Sequence, residues 1–323
     1  MSNPRVLCLG EILYDVLADQ LGRSVSEVES WTSYPGGAPA NVACALVKLG
    51  TPSAFIGAVG EDEPGNNLVK LLEEIGVDTN GVQRHPQAPT RQVLVTRKQN
   101  GDRVFSGFKD YDSAEFADTR LKAAQLPEKL FTEADFLVIG TLELAYPETS
   151  EAVHQALQLA SQHNVKILLD VNWRDVFWKN PDAAPDKIRE LIKKVDFLKL
   201  AKEEAELLFN TYDAGAITYR LNSVEGVLVT DGDKGCAYCL GENEDKFSAF
   251  SVHVVDTTGA GDSFVAGFVH QLLQTGIQNL KDAELVKKII AYASAAGALT
   301  TLKPGAIASQ PTAEEVENFL KEN

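Results

Sequence analysis

Short, nearly continuous apolar runs alternate along this chain with stretches in which apolar residues recur every three or four positions. The runs at 6–9, 53–59, 136–140, 166–170, 197–200 and 226–230 read as strands buried on both faces. Helical periodicity appears near 40–49, 64–75, 148–163, 185–194, 202–210 and 283–300, and Gly50 and Gly76 each stop a helix just past its apolar face. This alternation predicts βαβ units: an α/β fold with a parallel sheet covered by helices on both sides. Two stretches, 13–35 and 89–118, break the pattern with mixed polar and β-prone residues. Runs at 92–98 and 103–108 flank Asn100-Gly101, a hairpin-turn signal. We read these excursions as a discontinuous β-sheet lid on a large domain made of 1–12, 36–88 and 119–323.

The composition adds exclusions. A net charge of −16 disfavours nucleic acid and anionic membranes, which reward Lys and Arg. No apolar run is long enough to span a bilayer, and the run at 6–9 is a strand rather than a signal segment, so the expected location is cytoplasmic. Four cysteines make no disulfide framework. Cys236 and Cys239 lie three apart in a strand-like segment, so they should point to opposite faces and share no metal.

The chemistry concentrates at 256–264, Asp-Thr-Thr-Gly-Ala-Gly-Asp-Ser-Phe, ahead of a helical stretch with Phe264, Phe268, Leu272 and Leu273 on one face. Glycines before a helix start let backbone N–H groups converge where the helix dipole is positive, which makes an anion site. Asp262 then stands beside that site as a proton acceptor, an arrangement suited to phosphoryl transfer. Alone, such a turn is more often an ordinary strand-to-helix connection. Phe264 stands where a dinucleotide fingerprint needs its third Gly, Val265 stands where a nucleophile elbow needs Gly, and no P-loop occurs. Further polar groups follow the apolar strands, where open parallel sheets bind ligands: Asp15; Asp170, Asn172 and Arg174; Glu203 and Glu204; Thr230, Asp231 and Gly232.

With these residues in view the chain resembles the ribokinase-like (PfkB) carbohydrate kinases over almost its whole length. Gly36-Gly37-Ala38-Pro39-Ala40-Asn41-Val42-Ala43 matches the family's N-terminal signature and 256–264 its C-terminal one. The resemblance implies a Rossmann-like core, a β-sheet lid through which many members dimerise, and ATP–Mg²⁺ chemistry on a sugar. It implies that Asp262 is the base and that Gly259, Ala260 and Gly261 supply the anion hole. It places Asp15, Gly36, Gly37 and Asn41 on the sugar. Asn172 and Glu204 would orient phosphates and water-bound Mg²⁺, although the usual Asn-x-x-Glu here begins with Ala201. Thr230, Gly232, Gly235 and Ser294 fall at the nucleotide, and Ser294 stands where many relatives have Asn. Asp256, Thr258, Thr300, Gly305 and Ser309 align with the monovalent-cation (K⁺) site of some members. An unperturbed Asp titrates near 3.9, so Asp262 is expected to be ionised at neutral pH and to act in direct in-line transfer.

Asp170-x-Asn172-x-Arg174-x-x-Phe177-Trp178 is similar to a run found in fructokinases and 2-keto-3-deoxygluconate kinases. Arg174 suits a place facing phosphate, with a surface ion pair to Asp175 or Asp170 as the alternative. In the lid segment 108–114, Lys109, Asp110 and Asp112 give an acidic local balance, and Glu143 is a further carboxylate expected to face the sugar. That acidity disfavours a carboxylate-bearing sugar and leaves neutral fructose, phosphorylated at its 6-hydroxyl. The alternatives are 2-keto-3-deoxygluconate, ribose or a nucleoside as substrate, or a sugar-binding regulatory relative that has lost catalysis.

Overall fold

A computed structural model describes residues 3–99 and 103–323. Among the described residues nine strands form one sheet: β1 (Val6–Leu9), β4 (Ser53–Gly60), β5 (Asp78–His85), β8 (Phe136–Ile139), β9 (Lys166–Asp170), β10 (Phe197–Ala201), β11 (Gly226–Thr230), β12 (Cys236–Leu240) and β13 (Asn243–Phe247). A second sheet holds β2 (Leu13–Ala18), β3 (Trp31–Gly36), β6 (Gln92–Arg97) and β7 (Arg103–Phe108). The expected Asn100-Gly101 turn lies outside the described residues.

In the large sheet the order is β13-β12-β11-β10-β9-β8-β1-β4-β5. All pairings from β11 to β5 are parallel, and β12 and β13 add an antiparallel edge. The chain leaves β1 toward β4 on one side and later returns to β8 on the other. This reversal opens a crevice at the carboxyl ends of β1 and β8, the place where such sheets bind ligands.

Helices cover both faces because the central strands are apolar on both. Leu7, Leu137, Leu169, Leu198 and Val227 point to the side of helices Pro147–Gln162, Ala184–Ile192 and Ala214–Leu221. Val6, Phe136, Leu168, Phe197 and Leu228 face helices Ala38–Lys48, Ala260–Thr275 and Ala283–Thr300. Cys236 and Cys239 sit in these opposite layers, as their spacing implies.

The small sheet has the order β3-β2-β6-β7, with β2 and β6 parallel and both outer pairs antiparallel. Leu13, Leu17, Val93 and Val95 join it to the main core. Its deepest tie is Arg91, 1 % exposed, whose guanidinium holds Asp118 through Nε at 2.5 Å and Nη2 at 2.9 Å. The rings of Phe108, Phe116, Tyr146 and Phe177 surround that cation at 4.8–5.5 Å. Arg91 thus links the start of β6 to Phe177, which lines the crevice.

Candidate active site

Two clefts open at the carboxyl end of the large sheet. The first, of ≈ 650 Å³, takes Glu11 from the end of β1, Gly140–Leu142 from β8, Asn172 and Arg174 from β9 and Ala201 from β10. The small sheet closes over it with Asp15, Val95 and Phe105. The second, of ≈ 580 Å³, lies between Thr230, Gly232 and Gly235 and the helix face carrying Ser294 and Gly297, with Phe250, Val252 and Val254 as an apolar wall. Thr257 and Gly261 line both. The clefts therefore meet at the turn that enters helix Ala260–Thr275.

That turn is built for close approach. Gly259 is the N-cap, with φ 79°, and a Cβ there would lie 2.8 Å from the Ala306 side chain, so only glycine fits. The Ala260 N–H bonds back to the Thr257 carbonyl at 3.2 Å, and Ala260 faces the second cleft. Gly259 and Gly261 face the first.

Asp262 follows in the first helical turn, 9 % exposed. Its Oδ2 accepts from Asn41 Nδ2 at 2.7 Å. Burial raises its pKa to about 6; Asp170 adds to the rise, while Asn41, Lys199 and Arg174 oppose it. The carboxyl group thus differs from the unperturbed acid that the sequence suggests, and it titrates close to working pH, which favours general-base action. Asn41 is buried, and its Oδ1 has no partner among the described residues, an acceptor that a ligand hydroxyl can satisfy. Helix Ala38–Lys48 places it there, starting from Gly37 with Pro39 in its first turn. Gly37 has φ 104°, and a Cβ would meet the Glu11 carbonyl at 2.5 Å.

Asp15, within the expected lid stretch, is on β2 of the small sheet and reaches the cleft from above. Two other expected residues stand elsewhere. Gly36 lies behind Asp15, its Cβ direction 3.1 Å from Asp15 Oδ2, and does not line the cleft. Glu143 is 3 % exposed and also outside the lining. It contacts Glu11, a residue that sequence reasoning missed; Glu11 lines the cleft and accepts from the Ala38 N–H at 2.7 Å. Burial, then the neighbouring Glu143 charge, holds the Glu11 pKa well above the carboxylate range, and burial also raises Glu143. Two contacting buried carboxyls resist double ionisation, so the pair keeps a proton at neutral pH. Asp110 and Asp112 are exposed and outside both clefts, so the acidity comes from other residues.

Asn172 and Arg174 both line the first cleft. Asn172 has φ 35°, a left-handed conformation for a non-glycine residue at the end of β9. Among the described residues Arg174 makes no ion pair, which removes the surface-pair alternative. Glu204 braces this edge: Oε1 accepts from the Trp173 N–H at 2.8 Å and Oε2 from the Ala201 N–H at 2.7 Å. Burial raises its pKa against the pull of Lys199. Lys199 was also missed; it is 6 % exposed, lines the cleft and binds Asp170 at 2.9 and 3.1 Å.

At the proposed monovalent-cation position, Asp256 Oδ1 accepts from the Thr258 N–H and hydroxyl at 3.0 and 2.7 Å, and Oδ2 from the Gly305 N–H at 2.9 Å. Ser309 donates to the Gly305 carbonyl. The Thr300 hydroxyl is engaged elsewhere, donating to the Ala296 carbonyl at 2.9 Å and bonding with the Ser263 hydroxyl at 2.8 Å. Among the described residues no cluster of three or more His, Cys, Asp or Glu side chains is arranged to hold a metal directly. With both Glu204 oxygens already on backbone N–H groups, the donor set fits Mg²⁺ held through its own waters.

Residues 3–313 match the sequence pattern of the pfkB family carbohydrate kinases. The chain belongs to the PfkB family of carbohydrate kinases. "Probable fructokinase-5" of Arabidopsis thaliana is 34% identical over 323 residues, covering 99% of this chain and 98% of that one. The solved fructokinase of Xylella fastidiosa with bound ATP superposes with TM-score 0.88 at 28% identity, covering 98% of each chain. A fructokinase double mutant of Vibrio cholerae O395, in a fructose-, ADP- and potassium-bound form, does so with TM-score 0.84 at 25% identity over 98% of each. The large and small sheets are thus those of the ribokinase-like fold, and the PfkB chain is a sugar phosphotransferase by family. No helix among its described residues is long and apolar enough to cross a membrane.

Proposed function

We propose that this enzyme transfers the γ-phosphoryl group of ATP directly to the 6-hydroxyl of fructose. The observation that carries the reading is the meeting of two clefts at Thr257 and Gly261, with a buried carboxylate of pKa about 6 one residue further on. The nucleotide occupies the cleft of Thr230, Gly232, Gly235 and Ser294, its adenine against the apolar wall. The sugar lies in the first cleft on Asp15, Asn41 and Glu11. Asp262 accepts the proton of the attacking hydroxyl, while Gly259 and Gly261 present backbone N–H groups to the developing charge. Mg²⁺ would supply positive charge to the phosphates; Asn172 and Glu204 would hold it, Glu204 through water. K⁺, if used, would sit beside Asp256, Thr258, Gly305 and Ser309.

The choice of a neutral sugar rests on charge. Glu11 shares a proton with Glu143, and among the described residues the four other carboxyl side chains that line the first cleft (Asp15, Asp170, Glu204 and Asp262) stand against two cations, Arg174 and Lys199. A sugar acid would meet that balance unfavourably. The relatives named fructokinase support the same choice. The test is ADP release with Mg-ATP against fructose, ribose, glucose, 2-keto-3-deoxygluconate and adenosine, with the product read by ³¹P–¹H correlation NMR. Fructose 6-phosphate as the preferred product supports the reading. A preference for 2-keto-3-deoxygluconate would refute the charge argument, and sugar binding without turnover would mark a relative that has lost catalysis.

A further inference from the structure

Strand β10 alternates between the two core layers, so Phe197, Lys199 and Ala201 share one face while Leu198 and Leu200 take the other. On the shared face Ala201 offers no side-chain donor, and Lys199 is the cation. Its ammonium has three N–H bonds. Two are accounted for by Asp170 Oδ1 and Oδ2, at 2.9 and 3.1 Å, and the third has no protein acceptor among the described residues. A Cβ on Gly261 would lie 3.3 Å from Lys199 Nζ, which puts the ammonium beside the turn shared by both clefts. Burial would lower its pKa, but Asp170, Glu204 and Asp262 together hold it above the ordinary lysine value, so it stays charged. A buried ion pair is a weak device for stability alone.

We propose that Lys199 is a catalytic residue whose ammonium, anchored by Asp170, stabilises the charge on the phosphoryl group as it crosses from nucleotide to sugar at the Gly259–Gly261 turn. The proposal rests on the kinase reading above. In that step the sugar oxygen bonds to the γ-phosphorus, and the bond from phosphorus to the β,γ-bridging oxygen breaks, its electron pair leaving with ADP. The hydroxyl proton passes to Asp262; Lys199 neither gives nor takes one.

The test compares wild type, Lys199→Met, Lys199→Arg, Asp170→Asn and the double variant Lys199→Met/Asp170→Asn, all full-length, with Mg-ATP and fructose. Lys199→Met leaves Asp170 buried and unpaired, so the double variant keeps the test valid if the single one fails to fold. The expected result is a kcat loss on the order of 10²–10³-fold on removing the ammonium. It should appear in the double variant relative to Asp170→Asn, with fructose KM little changed, and Lys199→Arg should recover part of it. Affinity for ADP with aluminium fluoride and fructose, a mimic of the transferring group, should fall with kcat, while affinity for ADP alone holds. A double variant as fast as Asp170→Asn would overturn the proposal and leave Lys199 as a neutraliser of Asp170. Wild-type protein without sugar turnover would instead overturn the kinase reading, and this proposal with it.

Discussion

Replacing Asp262 by Asn should abolish most activity and at the same time make the protein more stable. The side chain is 9 % exposed, and its pKa is raised from 3.8 to about 6, chiefly by burial. That shift is about two pKa units, or about 3 kcal/mol of preference for the neutral form in the folded state. Because the folded pKa lies above the unfolded one, the group's favourable contribution is complete below about pH 4 and is lost as pH rises through about 6. Asn is neutral throughout, and its side-chain oxygen can still accept from Asn41 Nδ2. The melting-temperature gain of Asp262→Asn should therefore be near zero at pH 4 and reach roughly 4 °C above pH 7 for a chain of this size. Over the same range kcat should fall by on the order of 10²–10⁴-fold. Calorimetry at four pH values, beside a coupled ADP assay, reads both. A variant less stable than wild type at pH 8, or a pH-independent gain, would refute the account of a desolvated base.

Three other outcomes follow from the same geometry. The kcat/KM profile should carry an acid limb with an apparent pKa near 6, since Asp262 must be ionised to act; a flat profile down to pH 5 would exclude it as the base. Gly37→Ala, which forces a Cβ to 2.5 Å from the Glu11 carbonyl at φ 104°, should destabilise the fold by roughly 1–3 kcal/mol and raise the sugar KM, measured by urea denaturation and steady-state kinetics. Arg91→Met should destabilise by roughly 3–5 kcal/mol because it leaves Asp118 buried without its cation, and Arg91→Met/Asp118→Leu should recover most of that loss in the same denaturation assay.

Much of the core was legible because its strands and helices carry strong periodicity: 166–170, 226–230 and 283–300 coincide with the observed elements. The edges were not. β5 (Asp-Thr-Asn-Gly-Val-Gln-Arg-His) and β13 (Asn-Glu-Asp-Lys-Phe) are half-exposed edge strands without an apolar face, so pattern reading passes over them. Helix Ala214–Leu221 was also missed, although Asp213 caps it by accepting from the Ala216 N–H at 2.7 Å. In the site, Asp262 was readable because a glycine turn ahead of a helix marks it, whereas Asn41 and Gly37 were expected only through the resemblance to the family's N-terminal signature. Glu11 was overlooked although it is the first charged residue after β1, a position that the strand-end rule points to. Lys199 lies inside a run, 197–200, that reads only as a buried strand; the fold is what sets Asp170 opposite it. Glu143 illustrates the converse, a polar residue near the rim that the chain buries against a second carboxyl.

The central claim is that this PfkB enzyme phosphorylates fructose with Asp262 as base. The most direct test is the rate of ADP release from Mg-ATP with and without fructose, for wild type and Asp262→Asn together. The account predicts turnover that requires fructose, yields fructose 6-phosphate and is lost in the variant. Fructose turnover that survives in Asp262→Asn, or ATP hydrolysis indifferent to the sugar, would contradict it.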